Sequence, residues 1–419
     1  MRILASVAGL LMAASAYGQE VRTTTLVING QNGTVISGLK VSTTSGRCVE
    51  IINSANITIE NADIGPCGTD NTTADSQGVL ISGSAAVKIV DSYIHVERKA
   101  SACCDTHSNV LMRNSSDVLL QGNVIAFGET NVAVMSGDGR STGVKVVGNY
   151  LLNPRGPMPR GQNVQVYGEN ASLLNEDIVV ADNFARTEQS VNPALTARQE
   201  DSLSFGYSKT VTVARNYVLG GMSNSGAAIT FDQGMVSGSI VDNLIHQYNA
   251  GVQWTSGAGT ISGNKSLITE GSPNGAALII GTLGFATSPC GGITVSGNTA
   301  AATGANGGLY TDAGCTNVAY VGNVIDPSWA ACSPGYGNVP PASCLAYWQL
   351  APFAEKFPPP LIPPKPYACV AVSPYSTQVS VPVCDGSAPL PPSPPLPLKI
   401  GCRRRNTRSR TGRRSQTTR

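Results

Sequence analysis

The phrase VKVVGNYL, residues 144–151, decides how this chain is read, because it returns along most of its length. It is met again as LLQGNVI (119–125), IVVADNFA (178–185), VTVARNYV (211–218), SIVDNLI (239–245), TISGNKS (260–266), ITVSGNTA (293–300) and AYVGNVI (319–325). Nearer the start, ITIENADI (57–64) carries Asn61, and VKIVDSYI (87–94) puts Ser92 where an asparagine stands elsewhere. The recurring asparagines are Asn61, Asn123, Asn149, Asn183, Asn216, Asn243, Asn264, Asn298 and Asn323, and with Ser92 counted their steps vary between 21 and 34 residues. A fixed phrase at variable spacing describes one coil of chain per repeat, with connections of different length.

A second short segment lies between these phrases: GVLISG, NVLMRN, NVAVMS, NVQVYG, DSLSFG, AAITFD, GVQWTS and AALIIG. Apolar and polar residues alternate in each, the mark of a strand with one face buried. Two or three such strands per coil, stacked coil on coil about 4.8 Å apart, predict a solenoid of parallel sheets. Asparagine tolerates the left-handed backbone of a sharp corner, and stacked asparagines can hydrogen-bond to one another along the stacking direction. Both roles are expected of the recurring residue. Composition agrees, with 46 glycines, 26 prolines and 5% aromatics, a mixture that suits short strands and turns.

This pattern resembles the right-handed parallel β-helix proteins of the pectate-lyase-like superfamily over about residues 32–326. The resemblance implies an all-β, single-stranded right-handed parallel β-helix of about ten coils. The repeat by itself gives a β-solenoid without a hand.

The two ends read differently. Residues 1–18 have Arg2, an apolar run from Ile3 to Ala14 and small residues before Gln19, the layout of a secretory signal peptide. The run is too short to span a bilayer, so the expectation is a secreted or periplasmic protein with no transmembrane segment and a β-helix over 19–326. Eleven cysteines in an exported chain point to disulfides, with Cys402 the candidate for the odd one. Cys290 and Cys315 each precede their coil's asparagine by eight residues. They hold one register a coil apart, which predicts a bond between them. Residues 327–400 are rich in proline and include Cys332, Cys344, Cys369 and Cys384; such a segment cannot join a sheet interior and is expected to be an irregular, disulfide-bearing cap. The basic residues of 401–419 account for the excess in a net charge of +2. They read as a solvated tail, with no nucleic-acid partner implied.

Only 13% of the chain is charged, yet Arg198, Glu200 and Asp201 crowd together in LTARQEDSLSFGYS, residues 195–208. Aligning the inward residues Val164 and Val166, Leu203 and Phe205, Ile229 and Phe231 puts Gln165, Ser204, Thr230 and Gln253 in one outward row, flanked by Tyr167, Asp232 and Thr255. Such a polar, weakly charged strip suits sugar hydroxyls. Arg160, and Arg155 with it, would join Arg198, Glu200 and Asp201 at the strip's leading edge. An arginine fork fits a carboxylate, whether of Glu200 or of a uronic acid, and an arginine can abstract the proton α to a sugar carboxyl. Catalysis is therefore assigned to Glu200, Asp201 and Arg160, and substrate binding to Gln165, Tyr167, Arg198, Ser204, Thr230, Asp232 and Gln253. The competing reading is a salt bridge that ties the loop 186–199 to the solenoid. Strand parity sends Glu200 outward and turns Asp201 inward, unless Asp201 caps the corner. Asp232, six residues further along, would lie about 20 Å from Glu200, beyond the about 10 Å of a glycosidase pair.

Motifs known from the superfamily are incomplete here. The WIDH-like strand of pectate lyases is absent. The segment 199–231 is similar to part of the polygalacturonase layout, with Glu200-Asp201 in place of its aspartate pair, but no histidine follows Gly220-Gly221. GPMPRGQNVQVYG and RQEDSLSFG are also similar to a pair of adjacent strands in secreted bacterial β-helix proteins, which implies a shared site and names no reaction. Calcium enters only through the resemblance to the lyases. Cys103, Cys104, Asp105 and His107 match no standard zinc spacing, and His95 and His246 read as turn or edge residues. The function expected is an exported β-helix that binds an acidic polysaccharide and, if catalytic, cleaves it as a lyase or hydrolase. The alternative is a non-catalytic surface adhesin or glycan-binding structural protein.

Overall fold

The computed structural model describes residues 20–325 apart from 71–74, 98–106, 157–160, 188–199, 220–225, 248–249, 269–275, 284–287, 303–307 and 313. The expected signal peptide, the segment 327–400 and the tail 401–419 lie outside these residues. So do Arg160, Arg198, Cys103, Cys104, Asp105 and Gly220-Gly221.

Among the described residues the chain forms three sheets of twelve, eleven and eleven strands. We call them sheets I, II and III, after their first strands Glu20–Arg22, Leu26–Asn29 and Val35–Ser37. The chain visits I, II and III in turn and repeats, and each strand pairs in parallel with the strand one coil away. This is the all-β parallel β-helix, of the right-handed kind, that the resemblance implied, with three strands per coil and eleven coils where about ten were expected. Alternate residues of every strand point inward and stack in columns, as Val132, Val164, Leu203, Ile229 and Val252 do. All five are fully buried. The apolar alternation of the sequence is therefore the interior wall of the coil.

The recurring asparagines stack at the corner between sheets III and I. Asn183 shows the pattern: its Oδ1 accepts from the backbone N–H of Asn149 at 2.9 Å and from Asn149 Nδ2 at 3.0 Å. Its Nδ2 donates to Val146 O at 2.8 Å and to Asn216 Oδ1 at 3.0 Å. All four hydrogen-bonding positions of a side-chain amide are filled. The same bonds run from Asn123 to Asn323.

Two details of the sequence reading are corrected. Asn61 is not in the ladder; Ala62 takes that register, its N–H donating to Ser92 Oγ at 3.0 Å. Nor do the ladder asparagines adopt the left-handed backbone. The preceding residue does, at Asn61, Asp91, Gly122, Gly148, Asp182, Arg215, Asp242, Gly263, Gly297 and Gly322. The amide has to stay inside to find its partners, so the strained corner passes to its neighbour, which is glycine in half of the coils.

Cys290 and Cys315 are paired in register and bonded, with Cα atoms 4.5 Å apart. A second disulfide, Cys48–Cys67, spans neighbouring coils and had no signal in the repeat. At the ends of the stack the sheets have no further partner among the described residues, and Val21, Val27, Val35, Val321 and Val324 are exposed.

Replacing Asn183 with alanine would leave donors of Asn149 and the carbonyl of Val146 unpaired. We expect Asn183→Ala to cost about 1–3 kcal/mol or more, the range for orphaned buried partners. Asn61→Gly, at a position with φ of 52°, should be near neutral. Urea unfolding of the two variants compares them directly; equal losses would contradict the assignment of ladder and corner to different residues.

Candidate functional site

Sheet II carries the polar strip on its outer face. The strands Val164–Tyr167, Leu203–Gly206, Ala227–Phe231 and Ala250–Trp254 are adjacent. Their register aligns Gln165 with Ser204, Ser204 with Thr230 and Thr230 with Gln253. Behind this row, inside the coil, Phe205 packs edge-on against Phe231 at 5.5 Å between ring centres, and Phe231 against Trp254 at 4.6 Å. The largest fully buried side chains among the described residues thus back this part of the sheet.

Asp201 joins the strip. Strand parity does not extend to it, because the strand begins at Leu203, and of its two expected placements the inward one is not adopted. Its carboxylate lies along the outer row instead. Oδ1 accepts from the Ala227 N–H and from Thr230 Oγ1, both at 2.8 Å, and Oδ2 accepts from Ser204 Oγ at 2.9 Å. It caps the corner of one coil onto the next strand, and it is buried. Burial raises the Asp201 pKa to about 6, against the lowering effect of its three donors, with the Asp232 charge adding to the rise. The corner itself needs Gly226, where a Cβ would overlap the carbonyl of Glu200.

Asp232 is connected to the same network. Tyr167 donates its hydroxyl proton to Asp232 Oδ2 at 2.8 Å and lies 3.3 Å from Ser204 Oγ. To reach Asp232, two coils away, its ring crosses the intervening strand at Gly206, where a Cβ would come within 2.5 Å of it. Burial, with the Asp232 and Asp201 charges adding to it, pushes the Tyr167 phenol well above its ordinary value, so it stays a donor. Three links of 2.8, 3.3 and 2.9 Å hold the two aspartates at most about 9 Å apart. The carboxylate that shares the network of Asp232 is Asp201, not Glu200. Gln165 is 4% exposed, and its Oε1 has no hydrogen-bond partner.

Glu200 is half-buried beside this network. Arg155 stacks over the Phe127 ring at 4.9 Å and lies in the electrostatic reach of Glu97 and Tyr93, so it belongs to a different cluster from the one expected. That cluster surrounds His95, which is neither a turn nor an edge residue. It sits buried in the strand Tyr93–His95 of sheet I. Its Nε2 lies 2.9 Å from Asp63 Oδ1 and its Nδ1 2.8 Å from Glu97 Oε1. Lys40 Nζ is 3.3 Å from Asp63 Oδ2, and the Tyr93 ring stacks on the imidazole at 4.0 Å. No sequence motif marks this tie, because its members come from three coils. Among the described residues no group of three or more His, Cys, Asp or Glu side chains is placed to hold a metal ion.

Both buried groups make stability depend on pH in the same direction. Burial alone would lower the His95 pKa, but its bonds to Asp63 and Glu97 outweigh it and raise the pKa above 6.5. Its contribution is full below pH 6.5 and is lost as pH rises through the raised value. The raised Asp201 pKa likewise favours the fold most below pH 3.8, and that advantage fades as pH rises through about 6. Melting temperature should therefore fall between pH 5 and pH 8, less steeply in His95→Gln and in Asp201→Asn. Asp201→Ala should cost about 1–3 kcal/mol by leaving buried donors unpaired. Unchanged pH profiles in both neutral variants would contradict these assignments.

No protein-family model matches the chain, and no curated protein matches it in sequence. Three solved structures illustrate what it is similar to in shape. The Dettilon tailspike protein (gp208) gives a TM-score of 0.36 at 15% identity, over 71% of this chain and 62% of that one. The periplasmic alginate epimerase AlgG gives 0.37 at 11% identity, over 72% and 76%. PfbA, a surface adhesin of Streptococcus pneumoniae, gives 0.35 at 13% identity, over 67% and 64%. The chain thus spans less than two thirds of the tailspike and of the adhesin. At TM-scores of this size the likeness carries nothing about site or substrate, and the fold rests on the strand register above.

Proposed function

We propose that this protein is exported and holds a polysaccharide strand along the outer face of sheet II, between the strands Val164–Tyr167 and Ala250–Trp254. The observation that carries this reading is the in-register row of Gln165, Ser204, Thr230 and Gln253, joined by hydrogen bonds to Asp201, Tyr167 and Asp232. A rigid, flat array of hydroxyl, amide and carboxylate groups repeating about every 4.8 Å matches a polymer with a hydroxyl-rich edge. No helix among the described residues is long and apolar enough to cross a membrane.

Hydrolysis is a second reading, favoured by one observation. Asp201 and Asp232 are at most about 9 Å apart along their hydrogen-bonded links, below the roughly 9.5 Å upper limit of a glycosidase carboxyl pair. Asp201, protonated below about pH 6, would give its proton to the glycosidic oxygen as that bond to the anomeric carbon breaks. Asp232 would take a proton from the water that attacks the carbon. Against this, both oxygens of Asp201 already hold donors, the arrangement that a non-catalytic glycan-binding β-helix would keep.

A panel of polysaccharides separates these readings, assayed for binding, for new reducing ends and for unsaturated ends. Tyr167→Phe and Gly206→Ala should weaken binding about tenfold, a single hydrogen bond's worth at a buried site. Glu200→Gln and Arg160→Ala should leave the melting temperature nearly unchanged. They should abolish turnover if the leading edge is the working centre. New reducing ends lost in Asp201→Asn support hydrolysis; binding without turnover leaves the adhesive reading; a panel without any binder removes the proposal.

A further inference from the structure

We infer that the proline segment FPPPLIPPKPY, residues 357–367, lies along the outer face of sheet I and covers a column of aromatic side chains there. Outward positions of the sheet I strands share one register: Tyr93, Val124, Tyr150, Phe184, Tyr217 and Leu244. They alternate with interior residues such as Leu151, Ala185 and Val218. Tyr150 meets Phe184 edge-on at 5.7 Å between ring centres, and Phe184 stacks on Tyr217 at 5.5 Å. Outward residues of sheet III, such as Lys88, Gln121 and Lys145, are exposed. Tyr150, Phe184 and Tyr217 also stand on an outer face, yet they are only 3%, 5% and 6% exposed. Large rings keep so little exposure only under a cover. The burial is that of a single chain, so the cover belongs to the chain itself.

The neighbouring connections are badly placed to supply it. The corner between sheets III and I, beside this column, is two residues long from the second coil onward. Connections to sheet II leave from the far end of the same strands. The one after Leu152 is bonded to the connection before it, with the Arg155 and Gly156 N–H groups donating to Gly128 O at 2.7 Å and to Glu129 O at 3.1 Å. The last described strand, Val324–Ile325, belongs to sheet I, so the chain leaves the coils from this face. It does so four coils beyond Tyr217, about 19 Å at about 4.8 Å per coil, a distance that residues 326–356 cover with ease. The spacings also agree. Three residues of a polyproline II helix rise about 9.3 Å, and two coils rise about 9.6 Å. Pro360, Pro363 and Pro366 stand three residues apart. Tyr93, Tyr150 and Tyr217 stand two coils apart. A returning segment sets Pro360 over Tyr217, Pro363 over Tyr150 and Pro366 over Tyr93. Aromatic surfaces take such segments because the extended helix is already formed and loses little freedom on docking. Lys365 then arrives at the Tyr93 end, where Glu97 lies, and away from Lys265, which continues the column past Leu244.

Hydroxyl-radical footprinting of the full chain tests this. Oxidation is read at Tyr150, Phe184 and Tyr217, with Met112, fully buried inside the coil, reporting whether the fold is intact. Pro360→Ser, Pro363→Ser and Pro366→Ser together should raise oxidation of the three rings several-fold and leave Met112 protected. Pro359→Ser with Pro364→Ser, off the three-residue register, should raise it far less. A synthetic peptide of residues 357–367, added in excess to the triple variant, should restore protection. Rings that stay protected in the triple variant, equal exposure in the two variants, or exposure that the peptide does not reverse would each overturn the inference. Should the triple variant expose Met112 as well, Tyr150→Ala in the otherwise unaltered chain decides. It should speed chymotryptic cleavage after Leu361, and an unchanged rate would overturn the inference.

Discussion

One bond, from the side-chain amide of an asparagine to that of the asparagine one coil on, sets the register of everything else. It fixes the corner between sheets III and I, and from the second coil onward that corner is always two residues long. With the corner fixed, inward residues of successive coils fall in columns, and so do the outward ones. Polar groups far apart in sequence, such as Gln165 and Gln253, become neighbours in a row. Every amide in the ladder points the same way, its oxygen toward the preceding coil and its nitrogen toward the next. Hydrogen bonds in such chains polarise one another, so the middle of the stack is held more firmly than its ends.

Much of this was legible because the solenoid turns three-dimensional neighbours into a one-dimensional period. The alignment of Gln165 with Ser204, Thr230 and Gln253 follows from inward apolar residues alone. The pairing of Cys290 with Cys315 follows from their equal distance to Asn298 and Asn323. The reading failed where the period ends. Asp201 lies two residues ahead of its strand, which begins at Leu203, so alternation no longer dictates its direction, and hydrogen bonds from Ala227, Thr230 and Ser204 do. The same limit explains Asn61: the phrase ITIENADI has an asparagine one place early, and only the backbone angle separates a corner residue from a ladder residue.

The His95 cluster failed for a different reason. Lys40, Asp63, His95 and Glu97 belong to a motif in space with no fixed spacing in the chain. Its members are ordinary polar residues, three at strand positions and Glu97 just beyond a strand end, and their meaning appears only when coils are stacked. Tyr167 is similar. A tyrosine two coils from Asp232 has no reason to touch it until a glycine, Gly206, opens the way across the strand between them.

The corner between sheets I and II behaves oppositely to the ladder corner. Its connections run from two residues, 248–249, to the sixteen of 187–202, and they enter sheet II directly ahead of the strand ends that carry Asp201 and Gln165. Length can thus be added or removed there without moving a single column, since the amide stack across the coil resets the register each time. The protein therefore separates inheritance of its frame from variation of its recognition surface. Descendants of this chain can explore new partners by changing one corner, at no cost to the other two.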